Sequence, residues 1–430
     1  MARDTIFALS SGAVPAGVAV IRASGPAVRL GLETITGSVP PPRQSCLRAL
    51  RDGHGALLDR GIVLFFAGPA SFTGDDVAEF HVHGGRAVVA AILAALGALP
   101  GFRPADAGEF TRRAFENGKA DLTEVEGLAD LLAAETEAQR RQALEQAGGS
   151  LARLIETWRG RLVRARALLE AGLDFSDEAD VDPHVIASAR AAAEALTEEM
   201  TALIEAGTWG ERVRQGFEVV LLGAPNVGKS SLLNALARRD AAIVTDEPGT
   251  TRDMIEVAIE IAGHAVTLVD TAGLREAGGV IEREGMRRAR LRGAAADLVL
   301  LLHDRDHPAP EPPPGALLLP VRTKCDRDAV REEGLSVSAR TGEGLAELCQ
   351  AIGAALALAR PRPDVLLVRA RHRYAVKEAR DALSVMRGID APELLAEQIR
   401  AAMDALGRLA GRFDVEEMLG VIFAEFCIGK

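Results

Sequence analysis

The chain has 430 residues, 48% of them hydrophobic and 26% charged, a globular composition with room for about two to four domains. A net charge of −11 with only 4% aromatic residues excludes a broadly basic nucleic-acid binder and an aromatic base-stacking platform, so any RNA contact must come from a local basic patch. The longest apolar run, AVVAAILAALGAL at 87–99, falls short of the roughly 18–20 residues of a membrane span, and the N-terminus MARDTIFALSSG lacks the basic stretch and apolar run of a signal peptide.

Residues 1–117 mix the strand-like runs GVAVIRAS, GIVLFFAG and DVAEFHVHGG with one apolar helix at 86–99, which predicts a small α+β domain. From 118 to 213 the chain turns rich in Ala, Leu, Glu and Arg. LTEVEGLADLLAAETEAQRRQALEQ carries apolar residues three and four apart, the pattern of amphipathic helix. DFSDEADVDPH at 174–184 breaks that pattern and reads as a loop. Over 214–359 strands alternate with helices. FEVVLLG, VTLVDTAG, DLVLLLHD, LLLPVRTK and GLSVSA are short apolar runs of the kind that buried parallel strands show. HPAPEPPPG at 307–315 is a surface loop. From 360 to 430 the chain is helical again as far as the terminal CIGK.

Two helical zones thus flank one α/β unit. They are either halves of one discontinuous helical domain with the α/β domain inserted, or two separate domains. Insertion is the economical arrangement, because a domain's termini often lie close together.

GAPNVGKS at 223–230 fits the phosphate-loop pattern, follows an apolar strand and opens a helix. Backbone N–H groups through Asn226, Val227, Gly228, Lys229, Ser230 and Ser231 are expected to cradle phosphates. Lys229 reaches the β/γ-phosphates and Ser230 ligates Mg²⁺ in that reading. In the polar loop of Thr245, Asp246, Glu247, Pro248, Gly249, Thr250 and Thr251, Thr251 is the natural second magnesium ligand. Asp270, Thr271, Ala272 and Gly273 end a strand, with Asp270 near the magnesium and the Gly273 N–H at the γ-phosphate.

Thr323, Lys324 and Asp326 supply base recognition: a carboxylate accepts from guanine N1–H and the N2 amino group together, which adenine cannot offer. Thr323 stands where Asn is usual, and its shorter side chain is expected to hold the loop less firmly. Ser338, Ala339 and Arg340 add a backbone contact to the base. Leu274 occupies the place where many GTPases carry a water-orienting Gln. Hydrolysis must then borrow another group, and Glu282 and Glu284 are the candidates. The reading is an inserted P-loop GTPase domain of the Ras-like kind in a multidomain α/β chain. A timed RNA-docking switch is the competing role.

GAPNVGKSSLLNAL, TDEPGTTRD, DTAGLRE, AVIRASG, SFTGDDVAEFHVHGG, GEFTRRAFENGKADLTEVEGLADLL and the terminal FCIGK together resemble the tRNA-modifying GTPase family MnmE (TrmE). The resemblance covers the N-terminal zone, the GTPase zone and the C-terminal tail, and is weakest over 140–210. It implies an enzyme that hydrolyses GTP and, with a flavin-containing (FAD) partner, MnmG or GidA, adds a carboxymethylaminomethyl-type group to C5 of the wobble uridine of certain tRNAs. It implies a one-carbon tetrahydrofolate bound by the N-terminal domain, a homodimer through that domain, a heterotetramer with the partner, and no membrane.

By position, Glu282 matches the catalytic glutamate. Asn226 and the backbone oxygens of Thr245, Glu247 and Thr250 match a potassium site. Arg22, Glu79, Lys119 and Lys430 match folate-associated positions.

Cys46, Cys325, Cys349 and Cys427 form no CxxC pair and read as reduced thiols of a cytoplasmic protein; Cys427 is either a reactive thiol or a buried structural one. His81 and His83 alternate along one strand, but without a third ligand nearby they read as structural. The run of Arg360, Arg362, Arg369, Arg371, Arg373, Lys377 and Arg380 is either a meeting place for tRNA phosphate, a solvated helical face or a partner contact.

Overall fold

A computed structural model describes residues 4–174, 183–239, 255–270, 290–327, 334–358 and 365–412, with residues 419, 422, 423, 426 and 429 of the tail. The chain forms two compact units, residues 1–129 with 407–430, and residues 130–406.

The first unit is built on a six-stranded sheet in the order β3-β4-β5-β2-β1-β6. Its strands are β1 (Thr5–Leu9), β2 (Ala16–Ser24), β3 (Cys46–Arg51), β4 (Leu57–Phe66), β5 (Val77–Gly84) and β6 (Phe102–Pro104). All pairs are antiparallel except β1 with β6. Side chains alternate across a strand, so Ala19, Ile21 and Ala23 of β2 and Ala78, Phe80 and Val82 of β5 enter one core. Helices α1 (Val28–Thr36) and α2 (Arg86–Gly97) cover that face with Val28, Leu32 and Ile35, and with Val89, Ile92 and Leu96. The opposite face keeps Arg22, Glu79, His81 and His83. Helix α3 (Glu109–Glu116) follows, and α4 (Leu122–Ala133) carries Leu122 and Val125 into a smaller core with Ile422, Phe423 and Phe426.

In the second unit, α5 (Glu137–Ala147), α6 (Ser150–Asp174) and α7 (Pro183–Gln215) precede the α/β part. Buried positions on α6 run Leu151, Ile155, Trp158, Leu162, Ala165 and Leu169, a four-three alternation that keeps one seam facing its neighbour. Trp158, fully buried, donates its indole N–H to Glu199 of α7 at 2.8 Å.

The α/β part has five strands in the order β11-β10-β7-β9-β8: β7 (Phe217–Gly223), β8 (Ile255–Ile261), β9 (His264–Asp270), β10 (Leu298–His303) and β11 (Leu318–Arg322). Continuous apolar runs suit its centre because both faces are covered. Val219 and Leu221 pack with α8 (Lys229–Arg239) and α9 (Leu345–Leu358), while Val220 and Leu222 join Val269, Val299 and Leu301 on the other side.

Two features differ from the sequence reading. Strand β8, absent from it, pairs antiparallel with β9 through a tight turn at Ala262 and Gly263, both at positive φ; its alternating Glu256 and Glu260 hid it among continuous runs. GLSVSA gives only a parallel bridge between Ser336 and Arg322, because the chain turns at Ser338 to meet Asp326.

Helix α10 (Ala370–Ser384) comes after the α/β part yet packs on α7, which comes before it. The helical segments on either side of the α/β part thus pack together with the α/β domain inserted between them, whereas residues 118–129 and 407–430 of the two helical zones belong to the first unit. Helix α11 (Pro392–Leu409) completes the described helices. The two crossings are tight: a Cβ on Gly210 of α7 would stand 2.4 Å from the Leu367 carbonyl oxygen, so only glycine admits this approach.

Candidate nucleotide site

The site residues gather at the carboxyl ends of the parallel strands, where open α/β sheets bind ligands. Strand β7 ends at Gly223, where a Cβ would stand 2.7 Å from Val227 Cγ1 and 2.8 Å from Leu302 O. The loop then turns through positive φ at Asn226 and Gly228 before α8 starts at Lys229. Ammonium Nζ of Lys229 folds back on this loop and donates to Gly223 O and Ala224 O, each at 2.9 Å. Burial lowers the pKa of this ammonium, against the pull of the Asp270 carboxylate. The hydroxyl of Ser230 donates to the carboxylate of the fully buried Asp270, at the end of β9. Two hard oxygen donors thus converge beside the helix start, a donor set that suits Mg²⁺.

The base-reading loop is tied to the phosphate loop. Thr323 is buried, and its hydroxyl lies 2.6 Å from Val227 O and 3.2 Å from His303 O. The shorter side chain thus tethers one loop to the other. Lys324, at positive φ, donates to Asn226 O at 2.6 Å and to Asp304 Oδ2 at 2.7 Å.

Asp304 was not singled out in the sequence. Its Oδ1 accepts from the backbone N–H groups of Asp306 and His307 and lies 2.7 Å from the His307 ring. Burial raises its pKa, but the Lys324 and His307 hydrogen bonds outweigh that and hold it at about 2. The available signal was positional: an Asp directly after a buried parallel strand.

Asp326 is engaged on both oxygens. Oδ1 accepts the Ser338 hydroxyl at 2.6 Å, and Oδ2 accepts Arg340 Nη2 at 2.6 Å and Nε at 2.9 Å. Those bonds, Ser338 first and then Arg340, lower its pKa. Ala339 sits half-buried between them, and Ser231 lies exposed on α8. Thr245, Asp246, Glu247, Pro248, Gly249, Thr250, Thr251, Thr271, Ala272, Gly273 and Glu282 lie outside the described residues, as do Leu274, Glu284, Cys427 and Lys430.

In the first unit, register places Arg22 of β2 directly opposite Glu79 of β5. Arg22 Nη2 and Nε both donate to Glu79 Oε1, at 2.8 and 3.0 Å. The guanidinium stands 5.8 Å from the ring centres of both Phe72 and Phe110, and Phe72 is exposed. His81 Nε2 lies 3.3 Å from Glu79 Oε2, whereas His83 turns to Asp59 at 2.8 Å. Lys119 is exposed, its Cγ 3.4 Å from where a Cβ of Gly74 would stand, so the loop carrying Phe72 reaches both Arg22 and Lys119. Gly429 accepts from Ser10 Oγ at 2.8 Å, which brings the tail to the end of β1.

A phosphate loop on a strand-to-helix turn, an Asp-bearing base loop and a mostly parallel sheet define a P-loop GTPase domain. The family described as MnmE helical domain matches residues 122–427, and that described as GTP-binding protein TrmE N-terminus matches residues 5–119. The chain belongs to the family of the tRNA modification GTPase MnmE. The first of these matches spans the stretch 140–210, where sequence motifs were fewest.

The tRNA modification GTPase MnmE of Azorhizobium caulinodans is 52% identical over 99% of both chains. That of Rhizobium meliloti is 51% identical over 100% of both, and that of Methylobacterium sp. is 53% identical over 99% of this chain and 100% of the other. Among solved structures, the G domain of the T. maritima FeoB iron transporter aligns at 27% identity over 32% of this chain and 98% of that one, with a TM-score of 0.25. Among the described residues, no helix is long and apolar enough to cross a membrane.

Proposed function

We propose that this protein couples GTP hydrolysis by the inserted domain to chemistry on the wobble uridine of certain tRNAs. As a member of its family it is a GTP-binding GTPase that acts in tRNA modification. The observation that carries the finer reading is the relatives' likeness at about half identity along essentially the whole chain, so that nucleotide motifs and N-terminal motifs occur together.

In this reading the chain divides into four parts, 1–117, 118–213, 214–359 and 360–430. The protein is a cytoplasmic homodimer that joins the flavin-containing MnmG (GidA) in a heterotetramer and adds a carboxymethylaminomethyl-type group at uridine C5.

Lys229 releases its two carbonyls and turns to the β/γ-phosphates. Ser230 and Thr251 hold Mg²⁺, which supplies charge neutralisation on the phosphate oxygens. Asn226, with backbone oxygens of Thr245, Glu247 and Thr250, holds K⁺ in the place of an arginine finger. The Asn226 carboxamide makes no hydrogen bond among the described residues, which leaves its oxygen available. Glu282 orients the attacking water in place of the missing Gln at Leu274. Asp326 reads guanine with Lys324 over the base.

Arg22, Glu79, Lys119 and Lys430 bind the one-carbon tetrahydrofolate. A paired cation and anion beside the exposed Phe72 suit a flat hydrogen-bonding ring with an anionic tail.

The test is the wobble-uridine nucleoside profile of tRNA from a deletion strain. Loss of the modified nucleoside, restored by wild type but not by Glu282→Ala, is expected. An unchanged profile would leave a timed binding switch. GTP hydrolysis in K⁺ against Na⁺ tests the cation: equal rates overturn it.

A further inference from the structure

Two loops of the nucleotide site are joined residue by residue. Consecutive carbonyls of the phosphate loop, Asn226 O and Val227 O, accept from consecutive residues of the base-reading loop, Lys324 Nζ and Thr323 Oγ1, each at 2.6 Å. Four non-glycine residues have positive φ among the described residues, and two of them are Asn226 at 64° and Lys324 at 58°. Asn enters this left-handed region readily, whereas a lysine there carries a steric cost. Such residues persist where surrounding contacts over-determine them, and they gather at functional sites. Here the two bond directly to each other.

The lysine ammonium is held from the other side as well. Asp304 Oδ2 lies 2.7 Å from Lys324 Nζ, and the Asp304 side chain is only 4% exposed. Its Oδ1 accepts from the backbone N–H groups of Asp306 and His307, so the carboxylate cannot swing away freely. Asp304 therefore fixes the ammonium and also balances its charge beside the phosphate loop. The peptide group after Asn226 is pinned by Lys324, and the next one by Thr323. With φ and the carbonyl direction both set, the chirality of Asn226 fixes where its side chain leaves the backbone.

We propose that Lys324, held by Asp304, is a positioning residue for Asn226 as a monovalent-cation ligand, so that the base-reading loop sets the strength of K⁺ binding at the phosphate loop. This rests on the reading of Asn226 as a K⁺ ligand. An amide oxygen suits a hard cation. A ligand fixed before the ion arrives loses no freedom on binding it, and a loose one does. The lysine stem is left to cover the base while its ammonium holds Asn226. Charge alone and positioning give different signs. Loss of the ammonium leaves Asp304 unbalanced, which by charge strengthens cation binding; loss of the carboxylate leaves the ammonium unbalanced, which weakens it. Positioning weakens cation binding in both cases.

The test uses the full-length protein with a fluorescent GDP and aluminium fluoride, their joint binding being followed as K⁺ replaces Na⁺ at constant ionic strength. Nucleotide is kept saturating for each variant, so that a weaker base contact does not enter. Wild type is expected to form the complex in K⁺ in preference to Na⁺. Half-saturating K⁺ is expected to rise about fivefold or more in Lys324→Met and in Asp304→Asn. An unchanged or lower value in Lys324→Met overturns the proposal. Should that variant fold poorly, the double variant Lys324→Met with Asp304→Asn decides: it keeps the pair neutral, so charge alone returns the wild-type value, whereas positioning keeps it raised. Equal complex formation in K⁺ and Na⁺ by wild type removes the cation reading itself and the proposal with it. A K⁺ preference in wild type with the same half-saturation in the variants overturns the proposal alone.

Discussion

The nucleotide site and the Arg22–Glu79 site are assembled by opposite means. In the inserted domain, each contributing group follows the carboxyl end of a parallel strand, and the loops then bond to one another: Thr323 to Val227, Lys324 to Asn226 and Asp304, Asp326 to Ser338. In the N-terminal sheet the pair sits on the strands themselves, fixed by antiparallel register. Loops can be re-aimed when a ligand arrives, whereas a cross-strand pair is held by the whole ladder. The first arrangement suits a site whose occupant is hydrolysed and exchanged; the second suits one that holds a ring in a constant pose.

Substitutions should separate the two sites cleanly. The largest effect is expected for Lys229→Ala. It removes the cation that turns to the phosphates, and GTP turnover should fall by about 10²–10³-fold while binding of a reduced folate, followed by fluorescence, stays at the wild-type level. Loss of both activities together would mean that the sites are not independent.

Arg22→Ala and Glu79→Gln should do the reverse, weakening folate binding by about tenfold or more through a lost charge-assisted contact with GTP turnover kept. Both groups are largely shielded from solvent, so each should also lower stability by about 1.5–3 kcal/mol, readable as a shift in denaturant midpoint.

Asp304→Asn comes next. Charge-assisted hydrogen bonds contribute about 1.5–3 kcal/mol, and this one acts on the nucleotide only through Lys324, so about tenfold weaker GDP binding is expected. Because its folded-state pKa is depressed from 3.8 to about 2, the ionised contact is complete above the ordinary carboxylate range and is lost as pH falls toward 2. The ratio of wild-type to variant affinity should therefore be flat between about pH 5 and 9. A ratio that changes across neutral pH would shift the role to His307.

How far each region could be read from sequence follows from the same contrast. The P-loop, Asp270 and Asp326 were legible because a strand, its loop and the next helix are contiguous, and the chemistry of the loop is written within a few residues. Asp304 was missed because its partner Lys324 lies on a different strand's loop. The Arg22–Glu79 contact depends on a register between strands far apart in sequence, which no local pattern encodes; only the family resemblance pointed to those two residues. Strand β8 was overlooked because an edge strand alternates where central strands do not. The union of α7 with α10 is written in the sequence only as one of two options, since periodicity identifies an apolar face but not what covers it.

The smallest effect is expected at Arg340. Its guanidinium occupies the Asp326 oxygen that guanine would also approach, yet its side chain is 77% exposed. An ion pair whose guanidinium is so open to solvent is weakly held, so displacing it costs the incoming base little. Arg340→Ala should speed GDP association and tighten binding by no more than about fivefold. Ser338→Ala should act in the opposite sense, because the buried Ser338 hydroxyl orients the carboxylate from within the loop. Stopped-flow association and dissociation of a fluorescent GDP distinguish the two. If Arg340→Ala instead weakens GDP binding, the arginine is part of the base pocket rather than a competitor for it, and the loop resembles the cross-strand pair of the N-terminal sheet more than the re-aimable site drawn here.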